Sequence, residues 1–122
     1  MPRFVVSPSA AADIEDILAH TLRVHGEAAL LRYEALLVRA IADVAAAPDR
    51  PGVHTREEIA SAARTYHLAN SCENVDREIG RVKRPRHFLL FRLRGDGTIE
   101  IGRVLHESMD LARHLPDAYR TE

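Results

Sequence analysis

Hydrophobic and polar positions follow two different rhythms along this chain, and the change of rhythm divides it into a helical half and a stranded half. Arg3-Phe4-Val5-Val6 reads as a short strand over 3–6. Ser7-Pro8 then has the form of a helix cap with proline at the first helical position, where its missing N–H removes no helix bond. Ile14, Ile17, Leu18, Thr21 and Leu22 recur at three- and four-residue intervals, one apolar stripe of an amphipathic helix over 8–25. Asp13, Glu15 and Asp16 sit toward the positive end of its dipole. Gly26 is a C-terminal stop, and Leu30, Tyr33, Leu37, Ile41 and Val44 share a face of a second helix over 27–47. Pro48 and Pro51-Gly52 end it. So short a joint folds the two helices back as an antiparallel hairpin, and their apolar faces then need a covering layer.

The second half supplies that layer. Thr55-Arg56-Glu57-Glu58 has the spacing of a capping box opening a short helical turn. Strands are expected at 64–69, 87–92 and 99–106. His87-Phe88-Leu89-Leu90-Phe91-Arg92 is apolar on both parities, which places it centrally in its sheet. The glycines of Arg94-Gly95-Asp96-Gly97-Thr98 mark a hairpin turn. Met109 to Leu115 reads as one closing helical turn stopped by Pro116, with Tyr119 in a tail beyond it. Residues 70–86 are polar, basic and without a clear period, and read as a long loop, a feature that is usually functional or mobile in a compact domain. The order β-α-α-β-β-β gives an α+β, two-layer fold: a single domain over 1–122, with an antiparallel helix hairpin packed on a mainly antiparallel sheet.

Length and composition agree with one domain. The chain has 122 residues, 46% of them apolar and 29% charged, enough to bury a core without disulfides. No apolar run approaches the roughly 18–20 residues that a membrane span needs, and the apolar part of the N-terminus is too short for a secretory signal. The expectation is a soluble, cytoplasmic protein with no membrane partner. Net charge is −1, but that average hides a strong asymmetry. Residues 1–62 carry six basic groups against nine acidic ones, whereas residues 77–94 carry seven (Arg77, Arg81, Lys83, Arg84, Arg86, Arg92 and Arg94) against Glu78 alone. Such a segment attracts phosphates or the carboxylates of a partner, and it is equally the composition of a solvated strand edge.

Several chemistries are excluded by spacing. The seven histidines include no HExxH pattern, His20 and His25 are five apart, and the single cysteine, Cys72, cannot form a CxxC site, so no metal is expected. Neither a GxSxG elbow nor a phosphate-loop motif is present, and no cofactor is expected. Acid–base chemistry stays open. Arg64, His67, Arg86, His87, Arg92, Arg103 and His106 lie on or beside expected strands, and arginine with histidine is what metal-independent RNA cleavage requires.

Certain motifs carry a resemblance. Phe4-Val5-Val6-Ser7-Pro8 with Ala11, Asp13 and Ile14 is similar to the opening of the ParE toxins, members of the RelE/ParE superfamily of bacterial type II toxin–antitoxin systems. So are Gly26 with Tyr33 and Leu37, Pro48, and Arg64-Thr65-Tyr66. The most specific part is the tail: His87 to Arg92, Ile99-Glu100-Ile101-Gly102-Arg103-Val104-Leu105-His106, Met109-Asp110, and His114-Leu115-Pro116. The resemblance implies the fold derived above and a toxin that inhibits DNA gyrase by binding it on cleaved DNA. It implies neutralisation by a ParD-like antitoxin of ribbon-helix-helix type, through which alone the toxin would reach operator DNA. On this reading Arg86, Arg92, Arg103, His106, Met109 and Asp110 form the target-binding face. Leu30, Tyr33, Leu37, Arg84 and Arg86 meet the antitoxin. RelE-type members share the fold and cut mRNA on the ribosome; in that alternative His106 is the acid or base, with Arg64 and Arg103 on the phosphate. A third alternative is a non-toxic homologue retained for complex formation and autoregulation. Asn70–Arg86 is longer than the minimal ParE pattern.

Overall fold

In a computed structural model describing residues 3–120, a helix hairpin lies on one face of a five-stranded mixed sheet. Strand β1 (Phe4–Val6) leads into α1 (Pro8–His25) and α2 (Glu27–Ala46), followed by β2 (Val53–Thr55), β3 (Arg64–His67), β4 (His87–Leu93) and β5 (Ile99–His106). A 3₁₀ helix follows β3 at Leu68–Asn74, and a second, Leu111–His114, precedes the short α3 (Asp117–Arg120). The sheet order is β1-β5-β4-β3-β2; β1 runs parallel to β5 and the other pairings are antiparallel.

The caps explain where the hairpin begins and bends. The Ser7 hydroxyl accepts the N–H of Ala10 at 3.0 Å and donates to the carbonyl of Gly102 at 2.8 Å, so the residue that starts α1 also fastens it to β5. Gly26, at φ +91°, makes the joint; only glycine takes that conformation without strain. Leu36, Leu37, Ala40, Ile41 and Val44 of α2 pack on Tyr66, Leu89, Phe91, Ile101 and Val104 of the sheet. The expected α1 stripe is correct at Ile14, Ile17 and Leu18, while Leu22 points outward and is 47% exposed.

β4 is central, as its two-sided apolar pattern predicts. Its second face meets a smaller cluster of Ala60, Ala63, Leu90 and Tyr119. Here the expected tail is corrected. Pro116 stops only the 3₁₀ turn; the chain re-enters a helix and Tyr119 is 1% exposed, beneath the Arg92 guanidinium at 4.5 Å. Gly102 makes room for it, since a Cβ there would lie 2.8 Å from the Tyr119 hydroxyl. Gly102 is also the extra residue where the β4–β5 register shifts: Leu90 faces Arg103 and Phe91 faces Ile101.

Three further expectations change. A strand at 53–55 stands where none was expected, only three residues long and too short for a period. The capping box does not form: Thr55 ends that strand, and the Glu57 carboxylate accepts the N–H of Ala62. The strand expected over 64–69 ends at His67, and the loop over 70–86 opens as the 3₁₀ helix. The buried Asp43 carboxylate holds that helix against α2, accepting from Arg39 Nε, the Ser71 hydroxyl and Asn74 Nδ2 at 2.7–2.9 Å. Ser71 spends its only proton on Asp43, so the buried Tyr66 hydroxyl donates to Ser71 Oγ at 2.7 Å. Burial opposes the charge on Asp43, and the bonds from Ser71, Asn74 and Arg39 outweigh it, holding its carboxyl below the ordinary value.

Candidate functional site

The sheet does not assemble the three residues proposed for RNA cleavage. Arg64 pairs with Phe91 across β3 and β4, whereas His106 pairs with His87 at the other end of β4. Phe91 and His87 are four residues apart, which at about 3.3 Å per residue is roughly 13 Å along the strand. Arg64 is bound to the Pro48 carbonyl at 3.1 Å and the Asp49 carboxylate at 2.8 Å. Arg103 is committed to Asp13, Nε to Oδ2 at 2.7 Å and a terminal nitrogen to Oδ1 at 2.9 Å, while Asp13 Oδ2 also accepts the N–H of Val104. Asp13 thus ties α1 to β5 beyond any effect on the helix dipole.

The residues expected on a target-binding face divide similarly. Arg92 contacts Glu100 and covers Tyr119. Asp110 accepts from the Ala112 N–H and caps the second 3₁₀ helix. Arg86 pairs with Glu107 at 2.7 Å, and His67 donates to the same carboxylate at 3.0 Å, since its Nδ1 is occupied by the N–H of Ala69. Met109 is 44% exposed. Of this set, Arg86, His106 and Met109 share one wall of a cleft, and Arg92, Arg103 and Asp110 lie elsewhere.

That cleft, about 920 Å³, lies between the helix hairpin, the 80–87 segment and the ends of β4 and β5. Its lining includes Arg32, Arg81, Lys83, Arg84 and Arg86 against one carboxylate, Asp16. Four histidines, His20, His25, His87 and His106, also line it. His20 and His25 enter the sequence reading only as rejected metal ligands and Arg32 only in the charge count, because their spacing fits no motif. Tyr33 forms its inner wall, with its oxygen accepting the Arg86 N–H at 3.3 Å and its proton shared with His87 Nδ1 at 2.6 Å. Burial pushes the Tyr33 hydroxyl up to about 12 and His87 down to about 4, with the positive field of His106 lowering His87 further. Tyr33 is therefore the donor and neutral His87 carries its proton on Nε2. Among the described residues no three His, Cys, Asp or Glu side chains converge as a metal-ligand set, and burial pushes the half-buried Cys72 thiol up, away from reactivity.

The residues expected to meet the antitoxin at Leu30, Tyr33 and Leu37 lie at different depths. Tyr33 and Leu37 are 9% and 2% exposed and belong to the core, and Leu30 is half-buried. The exposed apolar side chains are one helical position over: Leu31 (53%) and Val38 (64%), joined by Ile79 (50%) across a groove of about 930 Å³. Leu37 is visible there only as part of the floor. Arg84 is exposed.

Comparison with known proteins agrees with this architecture. The family described as "ParE toxin of type II toxin-antitoxin system, parDE" matches residues 4–111. Toxin ParE1 of Mycobacterium tuberculosis, from strains H37Rv and CDC 1551, is 28% identical over 113 residues, covering 93% of this chain and 97% of that protein. A solved structure titled "Chromosomal ParDE TA system from P. aeruginosa" superposes with a TM-score of 0.61 at 19% identity, over 87% of this chain and 96% of the other, and shows a common fold. With a profile that covers all five strands and both long helices, the chain belongs to the ParE toxin family of type II toxin–antitoxin systems.

Proposed function

We propose that this toxin acts by binding rather than by catalysis, that its target is DNA gyrase held on cleaved DNA, and that a ParD-like ribbon-helix-helix antitoxin neutralises it. The observation that carries the first part is the dispersal of Arg64, Arg103 and His106: two are spent in ion pairs, and Arg64 lies at the far end of the sheet from His106. A general acid or base must reach the atom whose proton it moves, and these three cannot reach one phosphate together. Arg86, His106 and Met109 then contact the target from the cleft wall. Inhibition of gyrase supercoiling by the purified chain, with accumulation of cleaved DNA, is the expected result; supercoiling at the uninhibited rate refutes the target. Cut mRNA on programmed ribosomes, lost on His106→Ala, would replace binding by nuclease action.

An amphipathic antitoxin helix is seated in the groove beside Leu31, Val38 and Ile79, an ordinary mode of recognition for an exposed apolar trough. The groove runs through Asn74, Val75, Asp76 and Glu78 into the basic segment. Acidic residues of the same partner then meet Lys83, Arg84 and Arg86. Operator DNA is reached through the antitoxin.

A further inference from the structure

The cleft beside Tyr33 combines features that a merely solvated basic loop does not have. Its cations come from separate parts of the chain: Arg32 from α2, and Arg81, Lys83, Arg84 and Arg86 from the segment before β4. Gly80 brings the two together, at φ +98° and so close that a Cβ would stand 2.8 Å from Arg32 Cδ. Arg32, Lys83 and Arg84 form no ion pair with any described residue, and Arg81 is held by the carbonyls of Glu73 and Val75, which fix it without neutralising it. The cleft also presents ring N–H donors in fixed orientation. His106 Nδ1 accepts the N–H of Ser108 at 3.1 Å, and His87 Nδ1 accepts from Tyr33, so each ring offers Nε2–H. The two rings stand edge to face, 5.3 Å apart. Apolar wall is supplied by Ile17, Ala29, Val82 and Met109.

We propose that this cleft binds a nucleotide, free or at the end of a nucleic-acid strand, with its phosphate among Arg32, Lys83, Arg84 and the histidine Nε2–H groups and its base against the apolar wall. Guanidinium groups match phosphate oxygens in pairs, and the volume lies within the roughly 300–1,000 Å³ of small-molecule sites. An acidic polypeptide would also satisfy the cations; the apolar wall of Ile17, Ala29, Val82 and Met109, which takes the flat face of a base, and the size of the cleft favour the nucleotide. The site shares His106 and Met109 with the proposed target-binding wall and Lys83 and Arg84 with the proposed antitoxin contact, and its test reads nucleotide binding in the absence of either partner.

The test is isothermal titration of the full chain with AMP, ATP and inorganic phosphate, beside anisotropy of a labelled 5′-phosphorylated DNA octamer. At least one nucleotide probe is expected to bind more tightly than inorganic phosphate. Arg32→Ala with Arg84→Ala should weaken it by about tenfold or more, and Arg77→Ala, in the same segment but outside the cleft, by less than about twofold. ATP or AMP binding assigns a free nucleotide; binding of the octamer alone assigns a strand end. The exposed pair Lys83→Ala with Arg84→Ala repeats the measurement should the first double variant lose its circular dichroism signal. Absence of binding by every probe at about 1 mM, or an equal loss in Arg77→Ala, would overturn the proposal. So would an octaglutamate peptide that binds and is lost in the double variant while every phosphate probe fails, which would give the cleft to an acidic polypeptide.

Discussion

Tyr33 and His87 fix one another's protons, and burial of the His87 ring makes stability depend on pH. The His87 ring has an ordinary value of 6.5 when the chain is unfolded and about 4 when it is folded. Between those values the unfolded chain binds a proton that the folded one does not, so acid favours unfolding there. The stability contributed by this site is complete above about pH 6.5, declines as pH falls toward 4, and does not change further from this cause below it. Urea unfolding at pH 7 and pH 4.5 should show a smaller acid loss in His87→Gln than in the unmodified chain. The ring proton resonance of His87 should stay at its neutral position down to about pH 5; titration near 6.5 would show that burial does not exclude water from the ring. Tyr33→Phe leaves the Arg86 N–H and His87 Nδ1 without their partner, and should lower stability by about 1–3 kcal/mol. Arg103→Ala is a different case, because it strands the Asp13 carboxylate, 15% exposed, beside the Val104 N–H. A loss of about 2–3 kcal/mol in urea unfolding is expected, so reduced toxicity of that variant would report on folding rather than on target contact.

At the scale of elements, legibility followed length and period. The two long helices and β4 and β5 were readable because each repeats its pattern over at least seven residues, and because Ser7, Gly26 and the glycines of the 94–98 turn do their ordinary local work. β2 has three residues and is held as an edge strand by pairing with β3, a non-local cause that no local pattern records. The 3₁₀ helix at Leu68–Asn74 is specified by Asp43, 28 residues before Ser71 in sequence. The candidate site was legible in part: the sequence offered Arg84, Arg86, His106 and Met109, and the hairpin was needed to bring Arg32 and His20 opposite them. Tyr119 was misread because a proline usually ends what precedes it, while here the chain resumes a helix with an aromatic anchor. Tyr119→Ala removes the largest member of the cluster on the second face of β4 and should destabilise the chain by about 3–5 kcal/mol, checked by chemical denaturation. An unchanged midpoint would show that α3 contributes nothing to the fold.

On the proposed docking mode an antitoxin meets two unlike surfaces of the whole molecule, and they should govern different rates. The groove around Leu31, Val38 and Ile79 offers apolar area with no net attraction at a distance, since Glu34, Asp76 and Glu78 on its rim outnumber Arg39. The cations of the 80–87 segment act at range, in a chain whose first 62 residues are net acidic. At physiological salt a field extends about 8 Å, so it steers approach and fades as salt rises, while contact burial persists after docking. In kinetics measured by surface plasmon resonance against the purified antitoxin, raising salt should slow association strongly and leave dissociation nearly unchanged. Arg84→Glu should reproduce the effect of salt at low ionic strength, because it reverses one exposed charge and removes no apolar contact. Val38→Glu should do the opposite, with association close to unmodified and dissociation faster by about tenfold, the equivalent of roughly 1.4 kcal/mol. A salt-independent association rate would place the basic segment outside the antitoxin's path, leaving the cleft to its other ligand. Unchanged dissociation in Val38→Glu would move the antitoxin helix off the hairpin.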